Sequence, residues 1–533
     1  MTTPSAAGSC IPTRDSEMIV HQWTDTVSAM GEAHVLERRG RGWLRGATLA
    51  AVLLVGAPIA FAWHGGATPV VRRASYTVLA ARAIRMLETR YYNGTGEWHM
   101  CVPVICNTKN RDWGADSLTY TLYFYWQLSH NATVQPIVRT LATTAHLYRA
   151  ADVGTSDVAM WDSVAMAREY QVTGDPAALA KSEAAFRWVD SLRSKDFARG
   201  ACPAIDYQLP GGGTSDLKTL ETGSNYIKAA LLLYQITHNI SYLGKAEAKY
   251  TDVRQYFLDP TVPLYTTYIF DHGSMCRQLG GRYYASVNGN MIWAGDALAR
   301  ITGIQGYLDQ ATQTARAVAQ HLSDNAGVYA DLQADNDVVE PLIEAMYNLA
   351  VLDHQAFARK WLLTAASAAG ADVTPGGAYG RFFDGPPPRG LATAWQLNGG
   401  IAVTIAAAAL DPHGAPADPG FWQRAPFVAD DQRLANAPIR ITFTGRAIAI
   451  MGALGDVCCQ AGHAKVFIDR QETFDRTGIW QDKTSASRRL PDEVLFAWQW
   501  KVPGLHTIEI SPGTPNAMEG GSFFHMIGYY LVK

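Results

Sequence analysis

Charge, cysteine and long apolar runs are all scarce in this chain, and each scarcity removes a class of function. Only 17% of its 533 residues are charged, and the net charge is −3. A chain without a basic field is not built to hold nucleic acid, so no nucleic-acid partner is expected and the substrate is expected to be uncharged. No glycine-rich loop runs into Lys-Ser or Lys-Thr; the densest glycine run, Pro210 to Gly213, has no such lysine behind it. No His-x-x-x-His helix is present either, so neither a phosphate-bearing cofactor nor a metal is expected. Among the seven cysteines no pair has the spacing of a zinc site, which leaves disulfides as their reading.

The one long apolar run is Gly46 to Trp63, preceded by Arg38, Arg39, Arg41 and Arg45. At 1.5 Å per residue it reaches about 27 Å, enough to cross a bilayer core. The arginines hold the preceding segment inside, so residues 1–45 read as cytoplasmic, 46–63 as a transmembrane signal anchor, and the rest as extracytoplasmic. Ala60-Phe61-Ala62 also fits a cleavage site, giving secretion as the alternative. Cys10 precedes the span. The other six, Cys101, Cys106, Cys202, Cys276, Cys458 and Cys459, follow it, with Cys101–Cys106 a local bridge and Cys458–Cys459 a vicinal one among fifteen connectivities. Asn93, Asn131 and Asn239 open glycosylation triplets that chance also produces.

Three segments repeat: Tyr170-x-x-Thr173, Tyr234-x-x-Thr237 and Ala299-x-x-Thr302, set 64 and then 65 residues apart. Gln127 to His130 is a degenerate earlier copy. Each copy joins two helical runs through a short polar break, so the unit is a helical hairpin. Such a unit cannot cover its own apolar face and must stack on others, as a superhelix or closed into a ring; closure gives an (α/α)6-type toroid over 75–411. A Pro-rich linker, 412–424, follows. From Ile439 the period changes to two, as in Ile439-Arg-Ile-Thr-Phe, and 425–533 reads as an all-β sandwich. Trp498 and Trp500 share one side of a strand, as core residues do; with Trp480 they are its other candidates for a glycan-binding face.

The stretch Asp157-Val158-Ala-Met-Trp161, continuing to Tyr170 and Thr173-Gly174-Asp175, is similar to the Asp-Asp-x-x-Trp signature of glycoside hydrolase family 76, the endo-α-1,6-mannanases. Tyr91-Tyr92-Asn93 with Thr95-Gly96-Glu97-Trp98, then Asp112-Trp113, and Ser286-Val287-Asn288-Gly289 resemble three further family motifs in the same order. The resemblance implies a glycosidase whose Asp157 is the nucleophile, acting on mannan or a related envelope polysaccharide. Glycoside hydrolysis needs two carboxyl groups. Val158 stands where the family has its acid/base and can transfer no proton. Asp162, one helical turn after Val158, is the displaced candidate; Asp116 and Glu221 are carboxyls that sequence cannot place in the cleft. Trp113, Trp161 and Trp293 are expected substrate-binding positions because flat rings pack against sugar C–H faces, and the resemblance adds Asn288 and Gly289. The alternatives are a glycan-binding protein that keeps the groove and has lost the chemistry, and a toroidal lyase or a hydrolase of another sugar.

Overall fold

The structure, a computed structural model, describes residues 74–92, 113–144, 156–196, 214–272, 282–330, 338–387, 392–417, 438–454, 463–474, 490–512 and 525–532, with short pieces between them. Gly46 to Trp63 lies outside the described residues. No described helix is long and apolar enough to cross a membrane.

Among the described residues twelve α-helices make the larger part: α1 (Tyr76–Met86), α2 (Trp113–Ser129), α3 (Gln135–Thr144), α4 (Ser156–Thr173), α5 (Pro176–Asp196), α6 (Leu220–Thr237), α7 (Ile240–Phe257), α8 (Ala285–Thr302), α9 (Gln305–His321), α10 (Glu340–Val351), α11 (Ala356–Ala371) and α12 (Ala394–Leu410). Their burial sorts them into two layers. In α8 every residue from Ala285 to Leu298 is buried, whereas α9 buries only Ala311, Thr314, Ala315, Ala317 and Val318. A helix buried all round belongs inside and one with a single apolar stripe outside. The even-numbered helices form the inner ring, each packed on the next and α12 closing on α2. The ring is knit by close approach: a Cβ on Gly289 of α8 would fall 2.3 Å from Leu342 N of α10. Leu231, Leu232 and Leu233 of α6 are wholly buried in the common core, each worth about 2 kcal/mol.

The repeated threonines explain the hairpins. Thr173, Thr237 and Thr302 each give their hydroxyl hydrogen to the carbonyl four residues back, at 2.9, 2.7 and 2.7 Å, and each accepts the N–H two residues on, at 3.2 Å. Ser129 does the same in the degenerate copy. The residue after each is left-handed: Gly174, His238, Gly303 and His130. Asn131, Asp175 and Asn239 then cap the outer helix that follows.

Two smaller sheets serve the ring. β1 (Cys101–Val102) pairs with β6 (Ala392–Thr393), and β2 (Asp206–Gln208), β3 (Thr214–Thr219), β4 (Tyr268–His272) and β5 (Met275–Gln278) form a four-stranded antiparallel sheet. A disulfide, Cys202–Cys276, ties β5 to the segment before β2. Sequence had not singled out this pair. Cys106, Cys458 and Cys459 lie outside the described residues.

The C-terminal part corrects the expectation of two packed sheets. Its strands, β7 (Gln423–Pro426), β8 (Gln432–Arg433), β9 (Ile439–Leu454), β10 (His463–Ile468), β11 (Gln471–Glu472), β12 (Ile479–Trp480), β13 (Leu490–Pro512) and β14 (His525–Val532), make one eight-stranded antiparallel sheet. β9 and β13, at 16 and 23 residues, are too long to stay flat, and the pair breaks register between Gln499 and Gly504. Ile441 and Phe443 before the break and Ile448 and Ile450 beyond it therefore share one apolar cluster with Trp500. Trp500 stacks on His506 at 4.0 Å, while the Trp498 indole donates to Asn325 of the helical part at 2.7 Å. Both tryptophans are thus structural. Gln499 N donates to Asp324 at 3.0 Å, and Phe382 packs against Met451, Val494 and Tyr530, so the sheet is docked on the helices. The linker is pinned too, its Ala417 N donating to Ser367 at 2.9 Å.

Candidate active site

The inner helices all begin at one end of the ring, which collects their first turns. Ser156 of α4 and Thr222 of α6 share a 3.0 Å hydrogen bond, Ser286 of α8 donates to Glu221 of α6, and Asn398 of α12 donates to Ser117 of α2 and Glu340 of α10. N-termini carry partial positive charge, so a first turn is where carboxylates are favoured. Asp116, Asp157, Glu221 and Glu340 stand in four of the six.

Asp157 and Glu221 are neighbours, close enough for the charge of the first to raise the second. β3 runs straight into α6, and Thr219 caps that helix by accepting Glu221 N at 3.2 Å, which fixes the backbone under the carboxyl. Glu221 Oε1 accepts from Ser286; Oε2 is out of solvent and has no hydrogen-bond partner among the described residues. Burial, and then the charge on Asp157, push Glu221 up to about 7 against the pull of the Ser286 hydroxyl. Tyr268 pairs with Thr219 across β3 and β4; burial and then the Glu221 charge push its hydroxyl up to about 12. Its ring meets Tyr284 edge-on at 6.0 Å and lies under Arg282. One half-buried carboxylate, one carboxyl that stays protonated toward neutrality and an aromatic wall stand together here.

The opposite side of the rim is occupied. Glu340 accepts from Asn398, and burial pushes it up to about 8. Deeper in the ring a charged cluster fills the axis: Glu344 of α10 accepts from Arg168 of α4, Lys228 of α6 and Tyr120 of α2. Trp293 roofs both cations, 5.5 Å from the Arg168 guanidinium and 4.9 Å from the Lys228 ammonium.

Several expected positions take structural places. Trp293 is 5% exposed and belongs to that buried cluster, which corrects its reading as a groove residue. Asn288 is fully buried and clamps the chain at Tyr265, accepting its N–H at 2.9 Å and donating to its carbonyl at 3.1 Å; Gly289 is the close-packing point against α10. Neither is free to meet a sugar. Trp161 follows Asp157 by one turn and is buried. Trp113 opens α2, and its side chain is outside the described residues. Val158 packs against the apolar core. Asp162 is buried and lies about 140° around α4 from Asp157, so the two do not share a face. The repeat carries the signal that finds Glu221: the 64- and 65-residue steps that take Tyr170 to Tyr234 and Ala299 also take Asp157 to Glu221 and Ser286.

No protein-family model matches the sequence, and no curated protein does. Solved structures do. An α-1,6-mannanase of glycoside hydrolase family 76 from Salegentibacter sp. HEL1_6 superposes with a TM-score of 0.56 at 18% identity, covering 63% of this chain and 100% of its own. A family 76 mannosidase from Bacteroides thetaiotaomicron gives 0.53 at 12% identity, over 63% of this chain and 98% of its own. Cellobiose 2-epimerase from Bacillus thermoamylovorans gives 0.50 at 10% identity, over 62% and 96%. The helical part has the toroidal fold of the family 76 glycoside hydrolases, a fold also found in an epimerase.

Proposed function

We propose that the chain is a glycoside hydrolase acting on α-1,6-linked mannan or a related cell-envelope polysaccharide, with Asp157 as its nucleophile. The observation that carries this reading is the placement of Asp157: first turn of an inner helix, half-buried, at the ring end where a second carboxyl and an aromatic wall stand beside it. A carboxylate in that position can attack or stabilise the oxocarbenium-like anomeric carbon. The relatives support the substrate. The Salegentibacter enzyme is an α-1,6-mannanase, and its variant with two consecutive aspartates replaced by asparagine is inactive and binds α-1,6-mannotriose. The apolar run Gly46 to Trp63 anchors the chain, with the helical and sheet parts outside; cleavage near Ala62 gives the secreted alternative.

The test is release of new reducing ends from linear α-1,6-mannan by residues 66–533, beside an Asp157→Asn variant. Release lost in that variant supports the reading. Binding without release supports a second one, a glycan-binding relative without catalysis, which the apolar setting of Val158 favours.

A further inference from the structure

Val158 removes the proton donor from the helix that carries the nucleophile, and its side chain packs into the core, so no group at that position can replace it. The donor has to come from another helix of the ring. Accepting the glycosidase reading for Asp157, we infer that Glu221, one ring position along on α6, is the general acid/base of the reaction.

Three independent observations converge on it. The repeat places Glu221 at the position of α6 that Asp157 holds on α4, and the Ser156–Thr222 hydrogen bond locks those two first turns together. Its carboxyl has one oxygen held by Ser286, while Oε2 is buried with no hydrogen-bond partner among the described residues, the unsatisfied atom a leaving-group oxygen would meet. Two rival carboxyls stand elsewhere: Glu340, which accepts from Asn398 and also keeps a buried Oε2 without a partner among the described residues, lies across the ring on α10, and Asp162 points about 140° around α4 from Asp157. The raised pKa of Glu221, about 7, agrees with this role, since an acid must arrive protonated at working pH.

The step balances as follows. Asp157 bonds to the anomeric carbon while the glycosidic C–O bond breaks and its oxygen takes the Glu221 proton. Water then gives a proton back to the Glu221 carboxylate as its oxygen displaces Asp157, and the free sugar leaves. Ser286 is a positioning residue that orients the Glu221 carboxyl and holds its pKa down.

The experiment compares the wild-type chain, Glu221→Gln, Ser286→Ala and Asp157→Asn on α-1,6-mannan and on a 2,4-dinitrophenyl glycoside of α-1,6-mannobiose, whose leaving group needs no proton. Loss of the acid is expected to slow mannan cleavage on the order of 10²- to 10⁴-fold. The same variant should release dinitrophenolate in a burst near the wild-type rate, and azide should restore turnover as a glycosyl azide. Its rate profile should also lose the fall that the wild type shows above about pH 7. Ser286→Ala, which keeps the carboxyl, should move that fall to higher pH. Wild-type mannan cleavage by Glu221→Gln, with Asp157→Asn dead, overturns this role alone; equal loss on both substrates without azide rescue also overturns it. A wild-type chain that cleaves neither substrate overturns the glycosidase reading and this role with it.

Discussion

Glu344 satisfies three buried partners at once, and the arrangement states its own charge balance. Lys228 is wholly buried beside Arg168, and burial together with that like charge lowers its pKa well below the usual lysine value. Arg168 pairs with the same carboxyl, so both bases depend on Glu344. Glu344→Gln strips from two buried bases the carboxylate that pairs with both among the described residues, and breaking such a pair costs about 3–5 kcal/mol. Urea denaturation should show that loss, and Lys228→Met should cost clearly less because no unpaired charge is left behind. At Gly289 the argument is steric: the nearest atoms to an added Cβ are backbone, at 2.3 and 2.5 Å, and backbone cannot swing aside. Gly289→Ala should therefore destabilise by about 1–3 kcal/mol or more, read as a lowered denaturation midpoint with an unchanged slope.

At the level of the element, the hairpin is held by a hydroxyl that both donates and accepts. Removing it as Thr→Val at 173, 237 or 302 keeps the shape and deletes two hydrogen bonds, at a cost of about 1 kcal/mol per site. Gly303→Ala should add to that cost, because Gly303 has φ +75°. Thermal melts of single and combined variants check both, with near-additive losses since the turns are separate. These turns are also why the helical architecture was legible: the Thr spacing, the glycine or histidine after it and the Asn or Asp that follows are local chemistry, and local chemistry is written in the sequence. That Asp157 stands on one of these helices was legible for the same reason. The settings of Asn288 and Trp293 were not, because they depend on which helix stands next to which, and Glu221 could be reached only through the repeat. A buried Trp over two cations and a Trp over a sugar have the same sequence. The bend of β9 and β13 was hidden likewise, since a strand that passes a register break keeps its alternation.

For the molecule as a whole, several buried carboxyls carry raised pKa values: Glu169 and Glu340 about 8, Glu221 about 7, Asp296 and Asp324 about 6, all chiefly from burial. Each holds its proton in the fold at a pH where the unfolded chain has lost it. The stability they support is complete below the unfolded values, near 4, and is lost as pH rises through 6 to 8. Lys228 works in the other direction, since its folded pKa lies below its unfolded one. The raised carboxyls, with Glu344 and Asp384 among them, outnumber the groups shifted downward such as Lys228 and His321, so the melting temperature should fall by several degrees between pH 5 and pH 8, which calorimetry across that range checks.

The helical ring begins and ends at one spot. Tyr76 N donates to Gly414 O at 2.9 Å, the Thr77 hydroxyl donates to Pro412 O at 2.9 Å, and α1 lies along α12. A load applied between the chain before Ser75 and the chain beyond Ala417 therefore does not stretch the toroid across its diameter. It shears this one seam, and the junctions on the far side, where Asp157 and Glu221 stand on α4 and α6, bear no tension until the seam gives way.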